Sequence, residues 1–405
     1  MGVRRRILQA GTAAVVVAMA VTACGSSGTN ATSSDQGSTT SSSSATKAPL
    51  KIGVPGTFSG FAGVTSKADA DAVQAWAKYT NAHGGINGHP VEVIVKDDAA
   101  SASRSLVNVK ELIEQDHVVA LVGVWESGLE GSWASYAASK HVPVIGGGAT
   151  GAQWMTDPNF FATAITAVNG LELTANTTKL AGNKSYGVVY CAEVPACAQG
   201  GTLSKSLAPK IGVTFAGAAA LSASAPDYAA QCLTLQKAGA DTIFLATAQE
   251  TAGRFMQNCA SHGYTFTPVE QSGTWTSDLA KKDAYQKLWI MSPGFSWLAD
   301  TPAVNEFNAA MKQYSPDTDI NGAATSGWAA GVVFGKAAAH VSDTPTSQEI
   351  YDGLYSLGAD YTADGLMPPI TYTKGKPAEQ KPCAWYMHVQ DGALVSYDDG
   401  KMVCI

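Results

Sequence analysis

The chain has 405 residues, 45% of them hydrophobic and 15% charged, with a formal net charge of −7. That acidic balance argues against a nucleic-acid partner. The length exceeds what one hydrophobic core usually accommodates, so two domains are expected.

The N-terminus reads as a leader. Arg4, Arg5 and Arg6 precede a mostly apolar run from Ile7 to Ala20, which is too short for a membrane-spanning helix and fits a secretory signal peptide over residues 1–23. The tetrad Val21-Thr22-Ala23-Cys24 that follows resembles the lipobox of bacterial lipoproteins, so Cys24 is expected to be lipidated and to become the new N-terminus. The twin arginines leave twin-arginine export open. Gly25 to Thr46 holds nine Ser, five Thr and three Gly, too little apolar surface to offset the entropy of ordering. Residues 24–48 are therefore a lipidated cysteine and its flexible tether. Removing the leader, with three arginines and no acid, takes the charge from −7 to −10.

From residue 49 an apolar strand, a loop and a helix recur, the pattern of parallel sheets covered by helices. Strands are expected at Lys51–Pro55, Val91–Lys96, Val118–Val124, Pro143–Ile145, Tyr186–Tyr190, Val213–Ala216, Asp241–Ala246, Val269–Gln271 and Leu288–Ser292. Apolar residues at helical spacing predict helices over Ala68–Asn81, Ser103–Gln115, Leu171–Leu180, Tyr228–Ala238 and Thr251–His262. Two further strand-like runs, Trp385–Val389 and Ala393–Tyr397, flank Gln390-Asp391-Gly392.

Besides Cys24 the chain carries Cys191, Cys197, Cys232, Cys259, Cys383 and Cys404. Six cysteines in an exported chain imply three disulfides among about 15 connectivities, with neighbour-to-neighbour pairing the most economical. No CxxC or HxxxH spacing supports a metal site, and no cofactor is expected.

The segments "NAHGGINGHPVEVIVKDD", "LVGVWESG" and "VPVIGGGATGAQWMTDPNFF" resemble the branched-chain amino-acid class of type I periplasmic solute-binding proteins of ABC transporters, from about Leu50 to the C-terminus. The resemblance implies an α/β fold of two doubly wound parallel-sheet lobes, joined by three crossings, with an interlobe cleft. The first lobe would take 49–166 and 296–358, the second 167–295 and 359–405.

Ligands of open α/β sheets bind beyond the carboxyl ends of the strands. The loops there are Gly56–Ser66, Trp125–Gly128, Gly146–Gly151, Cys191–Gln199, Thr247–Glu250 and Ser272–Thr276. Ser127, after a strand and before a helix, offers a hydroxyl beside free amides, or else caps its own helix. By the resemblance Ser127, Gly148 and Thr150 fall on ligand-contacting positions, and Phe61 on an aromatic wall. Trp125, Gln249, Thr274 and Trp275 complete the expected site, while Trp154 and Trp297 serve the core as readily as the cleft. Gly146–Gly151 also satisfies GxGxxG, but it follows the fourth strand and lacks the acid about 20 residues on, so a dinucleotide site is rejected.

The second lobe departs from the amino-acid-binding pattern. Cys191–Cys197 replaces the tyrosine-glycine pair expected after Tyr186–Tyr190, and no acid stands near Gly273-Thr274-Trp275 to hold an α-ammonium group. A buried ammonium without a carboxylate is costly. An amino-acid ligand would then depend on Glu126, Glu193 or Glu250.

The function expected is that of an extracytoplasmic, lipid-anchored, monomeric solute-binding protein. It would capture an amino acid, amide or small aromatic or apolar solute by lobe closure and present it to an ABC permease. A sensor lipoprotein signalling to a membrane partner is the alternative. An exported enzyme fits less well, because GxSxG, HExxH and GxxxxGK[ST] are all missing and the seven histidines are scattered.

Overall fold

The computed structural model describes residues 47–405 except 127 and 194. The leader, Cys24, the tether and Ser127 lie outside the described residues, as does the side chain of Phe61.

The first sheet arises from β1 (Leu50–Gly56), α1 (Gly60–Ala82), β2 (Val91–Asp97), α2 (Ala102–Glu114), β3 (Ala120–Val124), α3 (Ala134–Ser139), β4 (Val144–Gly147), α4 (Gln153–Thr156) and β5 (Phe160–Phe161). Its order is β2-β1-β3-β4-β5, and every pairing is parallel. Such a sheet must be covered on both faces. In β3 every residue is buried: Ala120 and Val122 join the core under α1, and Leu121 and Val124 join the core with Val109 and Leu112 of α2.

The second sheet arises from α5 (Ala167–Leu180), β6 (Ser185–Cys191), α6 (Pro195–Leu207), β7 (Thr214–Leu221), α7 (Ala229–Lys237), β8 (Thr242–Ala246), α8 (Gln249–Ser261), β9 (Thr267–Gln271) and β10 (Trp289–Ser292). The chain then returns to the first sheet with α9 (Pro302–Tyr314), α10 (Gly322–Ala337) and α11 (Ser347–Tyr355), where α1 packs against both α9 and α10. A small ladder, β11 (Ile370–Thr371) with β12 (Glu379–Gln380), precedes β13 (Cys383–Gln390), β14 (Ala393–Ser396) and β15 (Val403–Cys404). The second sheet runs β14-β13-β10-β9-β8-β6-β7, with β15 also on β13. Its β6 to β10 pairings are parallel and its C-terminal pairings antiparallel. The expected α/β class with two parallel-sheet lobes is what the chain forms.

The three disulfides are Cys191–Cys197, Cys232–Cys259 and Cys383–Cys404. The second joins α7 to α8, which flank β8 in successive crossovers. The third ties the start of β13 to β15.

Two elements depart from expectation. Helix α1 begins at Gly60 rather than near Ala68, and α6 begins at Pro195, inside a segment read as loop. Glycine, threonine and serine in 60–66 carry little helix propensity, and tertiary contacts override it. Here Asn321 Nδ2 donates to Thr65 O at 3.2 Å, and the Ser66 hydroxyl reaches Thr57 O.

Helices α1 and α10 approach closely because glycines line their contact. A Cβ on Gly327 would lie 2.2 Å from Asp69 O, and one on Gly331 2.4 Å from the Trp76 ring. Gly327→Ala therefore forces the helices apart and is expected to cost about 2 kcal/mol, the overpacking penalty outweighing the propensity gain. Urea unfolding checks this: the midpoint should fall with an unchanged slope.

Candidate functional site

The carboxyl ends of β6, β8 and β9 carry the segments 191–193, 247–248 and 272–276. They converge on a cavity of about 700 Å³ whose wall includes Cys191, Glu193, Ala246, Thr247, Thr251, Arg254 and Gln271. A second cavity of about 500 Å³ adjoins it across the start of α8, with Thr65 of α1 on its wall together with Gly253, Gln257 and Lys282. Thr247, Ala248, Glu250, Arg254 and Thr274 line both. Thr65 brings an element of the first sheet to a site otherwise built on the second.

The wall of the larger cavity is held by opposed charges. The Glu193 carboxylate accepts from Ala223 N at 2.7 Å and from Ser222 Oγ at 2.9 Å, and these bonds hold its carboxyl below the usual range. From the other side Arg254 donates to Ala223 O at 2.5 Å, Ala225 O at 3.0 Å and the Tyr228 hydroxyl at 2.7 Å, its guanidinium 5.4 Å from the centre of that ring. The amide and the carbonyl of Ala223 are thus each bound by a charged side chain from a different element. Cys191–Cys197 fixes the loop that carries Glu193. Sequence reasoning missed Arg254, although it stands one helical turn after Glu250 on the helix that opens beside the site.

Of the residues expected at the site, Gln249 and Thr274 come together. Gln249 Nε2 donates to Thr274 O, and both side chains face a cavity. Beneath Thr274 lies an acid that the sequence did not reveal. Glu270, 2% exposed, accepts from Thr274 Oγ1 at 3.0 Å, and burial pushes its carboxyl up to about 7. An acidic residue in mid-strand reads as exposed, which is why the pattern hid it.

Trp275 is placed elsewhere. Its ring is buried in the main core with Leu279 and Ala280, and its edge borders a separate depression shared with Trp297. Because Thr274 faces the cavity, the next residue is directed away, and the expected stacking on a ligand is not what the structure presents. Trp154 is likewise fully buried, donating to Glu130 Oε1 at 3.1 Å, and Trp297 is buried.

In the first lobe, Trp125 is half-buried and its backbone pairs with Gly56. A Cβ on Gly148 would lie 3.2 Å from its ring, and one on Gly273 of the other lobe 3.4 Å from it. The indole therefore occupies space between a glycine of each lobe. Gly148 donates to Val124 O at 2.9 Å, and Thr150 is exposed in the same loop. The loop turns at Gly147, whose φ of 126° and approach to Val124 O, 1.9 Å from a built Cβ, admit only glycine.

The Glu126 carboxylate faces the interior of the first lobe, accepting from Ser105 Oγ at 2.7 Å and Trp133 Nε1 at 2.6 Å. It is 1% exposed and unavailable to a ligand. Burial, with Asp98 and Glu130 nearby, pushes its carboxyl up to about 8 against those two hydrogen bonds.

The family description "Periplasmic binding protein" matches residues 49–393, most of the chain. The chain belongs to the periplasmic binding protein family. No curated protein matches it by sequence. Among solved structures it is similar to a substrate-binding periplasmic protein from Ralstonia solanacearum, at 20% identity and TM-score 0.72 over 86% of this chain and 100% of that one. It is also similar to a possible leucine/isoleucine/valine-binding protein from Rhodopirellula baltica SH 1, at 15% identity and TM-score 0.74 over 87% and 97%. A third is an ABC transporter solute binding protein from R. palustris in complex with benzoate, at 14% identity and TM-score 0.67 over 88% and 98%. The periplasmic-binding fold is thus shared at low identity. Membership implies an extracytoplasmic location, and among the described residues no helix is long and apolar enough to cross a membrane.

The buried acids give this periplasmic binding protein a signed pH dependence. Glu126 titrates near 8 when folded, above the ordinary 4.5 of an exposed glutamate. Its protonated form therefore stabilises the fold fully below about 4.5, and that contribution is lost as pH rises toward about 8, by on the order of 4 kcal/mol. Glu270 adds a smaller loss of the same sign. The urea midpoint is expected to fall from pH 5 to pH 8, and Glu126→Gln, which keeps a partner for Ser105, should reduce that slope, the remainder coming from Glu270 and from Asp69, whose carboxyl full burial also raises. An equally steep slope in the variant would show that Glu126 is not its source.

Proposed function

We propose that the chain is a solute-binding lipoprotein of an ABC importer, anchored through Cys24 and swung on its serine-rich tether. It captures a small molecule by lobe closure and does not transform it. The observation that carries this reading is the pair of cavities at the carboxyl ends of the second sheet's strands, one of them completed by Thr65 from the first lobe. A solute bound there touches both lobes and favours the arrangement with more contacts. Gln249 and Thr274 contact it from the second lobe; Trp125, Ser127, Gly148, Thr150 and Phe61 from the first.

The site's chemistry narrows the solute. Glu126 and Glu193 are committed to internal bonds, Arg254 is spent on backbone carbonyls and Tyr228, and Lys282 pairs with Asp278, which leaves Glu250, on the wall of both cavities, as the carboxylate a solute would meet. An apolar or aromatic body with few polar groups fits a wall that includes Phe244, Leu245, Ala246 and Ala248. Among the similar structures one is bound to benzoate, which carries an apolar ring, and another is described as a possible leucine/isoleucine/valine-binding protein, whose named amino acids carry apolar side chains.

A thermal-shift panel of amino acids, amides, short-chain acids and aromatic compounds on the full chain tests the proposal. A true solute at about 100 times its Kd should add about 2.7 kcal/mol of stability. Ala248→Trp, which fills both cavities from the loop before α8, is expected to weaken binding at least about tenfold, some 1.4 kcal/mol, without lowering the Tm of the unliganded chain. A panel in which no compound shifts the Tm would overturn the reading, as would turnover of the bound compound.

A further inference from the structure

Three segments cross between the sheets: residues 162–166, 293–301 and 356–382. They are not three independent ropes. Ile165 N donates to Pro293 O at 3.3 Å, which joins the first crossing to the second. The third is braced internally by the β11–β12 ladder, in which Gln380 pairs with Ile370, and by Tyr361, which exchanges both backbone bonds with Ile370.

From that brace two side chains reach back to the first crossing. The Tyr372 hydroxyl donates to Ala162 O at 2.7 Å. Gln380 makes three bonds: its Oε1 accepts from Thr166 N at 2.9 Å and Thr166 Oγ1 at 3.1 Å, and its Nε2 donates to Ala164 O at 3.0 Å. Thr166 is the N-cap residue of α5, the first helix of the second lobe, yet its hydroxyl caps nothing in that helix. The group that would ordinarily secure the helix start is given to the third crossing instead. Any rotation of the second lobe against the first must turn the chain at this point.

We propose that Gln380 is a positioning residue that binds the first and third crossings into one hinge, so that the lobes turn about a single axis. Through it the residue sets what fraction of molecules presents both cavity walls to a solute, without touching the solute. The inference rests on the solute-capture reading, since a hinge matters for affinity only where binding draws on lobe motion: apparent affinity falls with the fraction of molecules already in the competent arrangement.

The test needs no solute. Nitroxide labels attached through p-acetylphenylalanine at Val107 on α2 and Leu203 on α6, both exposed, report the interlobe distance in the full chain by double electron–electron resonance and leave the disulfides intact. Gln380→Met keeps the length of the side chain and removes all three bonds. It is expected to widen the distance distribution about twofold, to speed exchange of the Thr166 amide about fivefold and, because Ala164 and Thr166 are buried and lose their partner, to lower the urea midpoint. Gln380→Glu keeps both acceptances from Thr166 but donates to Ala164 only when its carboxyl is protonated, the ionised oxygen repelling that carbonyl, so it should restore most of the narrow distribution at acid pH. Gln380→Asn, one carbon too short to span Thr166 and Ala164, replaces the Met variant if that chain fails to fold. Faster Thr166 exchange with an unchanged distance distribution would make Gln380 merely a local brace and overturn the proposal. Failure of the solute panel with a widened distribution would instead count against solute capture and leave the hinge standing.

Discussion

The contact between α1 and α10 is the constraint on which the rest of the molecule depends. These helices are more than 200 residues apart in sequence, yet Gly327 and Gly331 bring their backbones together over Asp69 and Trp76. The first sheet needs that cover, because a parallel sheet with Ile52, Val54 and Val122 bare on one face does not stay folded in water. The chain must therefore leave the first sheet, build the second and return. Multiple crossings follow, and the space between the lobes follows from the crossings. The cleft is a by-product of how the first core is completed.

Once the second sheet is in place, its cavity keeps its shape because charge is spent internally. Glu193 and Arg254 bind the two peptide groups that flank the Cα of Ala223, one through its amide and the other through its carbonyl, and charge-assisted bonds of this kind are roughly twice as strong as neutral ones. Tyr228 anchors one end of the 222–228 segment in the core, and these bonds hold the more exposed residues that precede it. Cys191–Cys197 reinforces the same wall by limiting the freedom of the segment that carries Glu193. A pre-formed wall lowers the entropy a solute must offset on binding. The cost is that two of the site's charges cannot also pair with a solute.

How much was legible in the sequence follows from the kind of signal each element emits. Strands that are buried on both faces, such as β3 and β8, are continuous apolar runs bounded by turns, and their position and parallel order were readable. Helix α10 was not, because a helix buried on nearly all sides shows no amphipathic stripe, and its glycines, which argue against helix, exist for close packing. The start of α6 was hidden by Pro195, which suits a first helical turn but resembles a loop breaker. At the site, strand ends dictate where the connecting segments must lie, although α1 and α6 begin inside two segments read as loops. Which side chain of a loop faces inward is not dictated in that way, because it hangs on a single residue of phase: Thr274 and Trp275 exchange roles if the turn after β9 shifts by one. Glu270, Arg254 and Gln380 were invisible for another reason. Their roles come from partners 4, 31 and 214 residues away, and no local pattern marks them.

The acids on the two sides of the cleft finally bear on what kind of solute the site tolerates. Glu126 and Glu270 both lie within a few residues of loops that face the cleft, and burial raises the proton affinity of each. A buried carboxyl that keeps its proton near neutral pH does not attract a cation strongly, and it does not repel an anion as an ionised one would. The field that Glu126 and Glu270 contribute is accordingly weaker than their number implies, and the polar groups on the cavity walls come instead from residues such as Glu250, Thr251, Gln271 and Thr274. That balance explains how a family scaffold that lacks an acid at Gly273-Thr274-Trp275 still holds carboxyls close by. They are tied to the protein's own hydroxyls and indole.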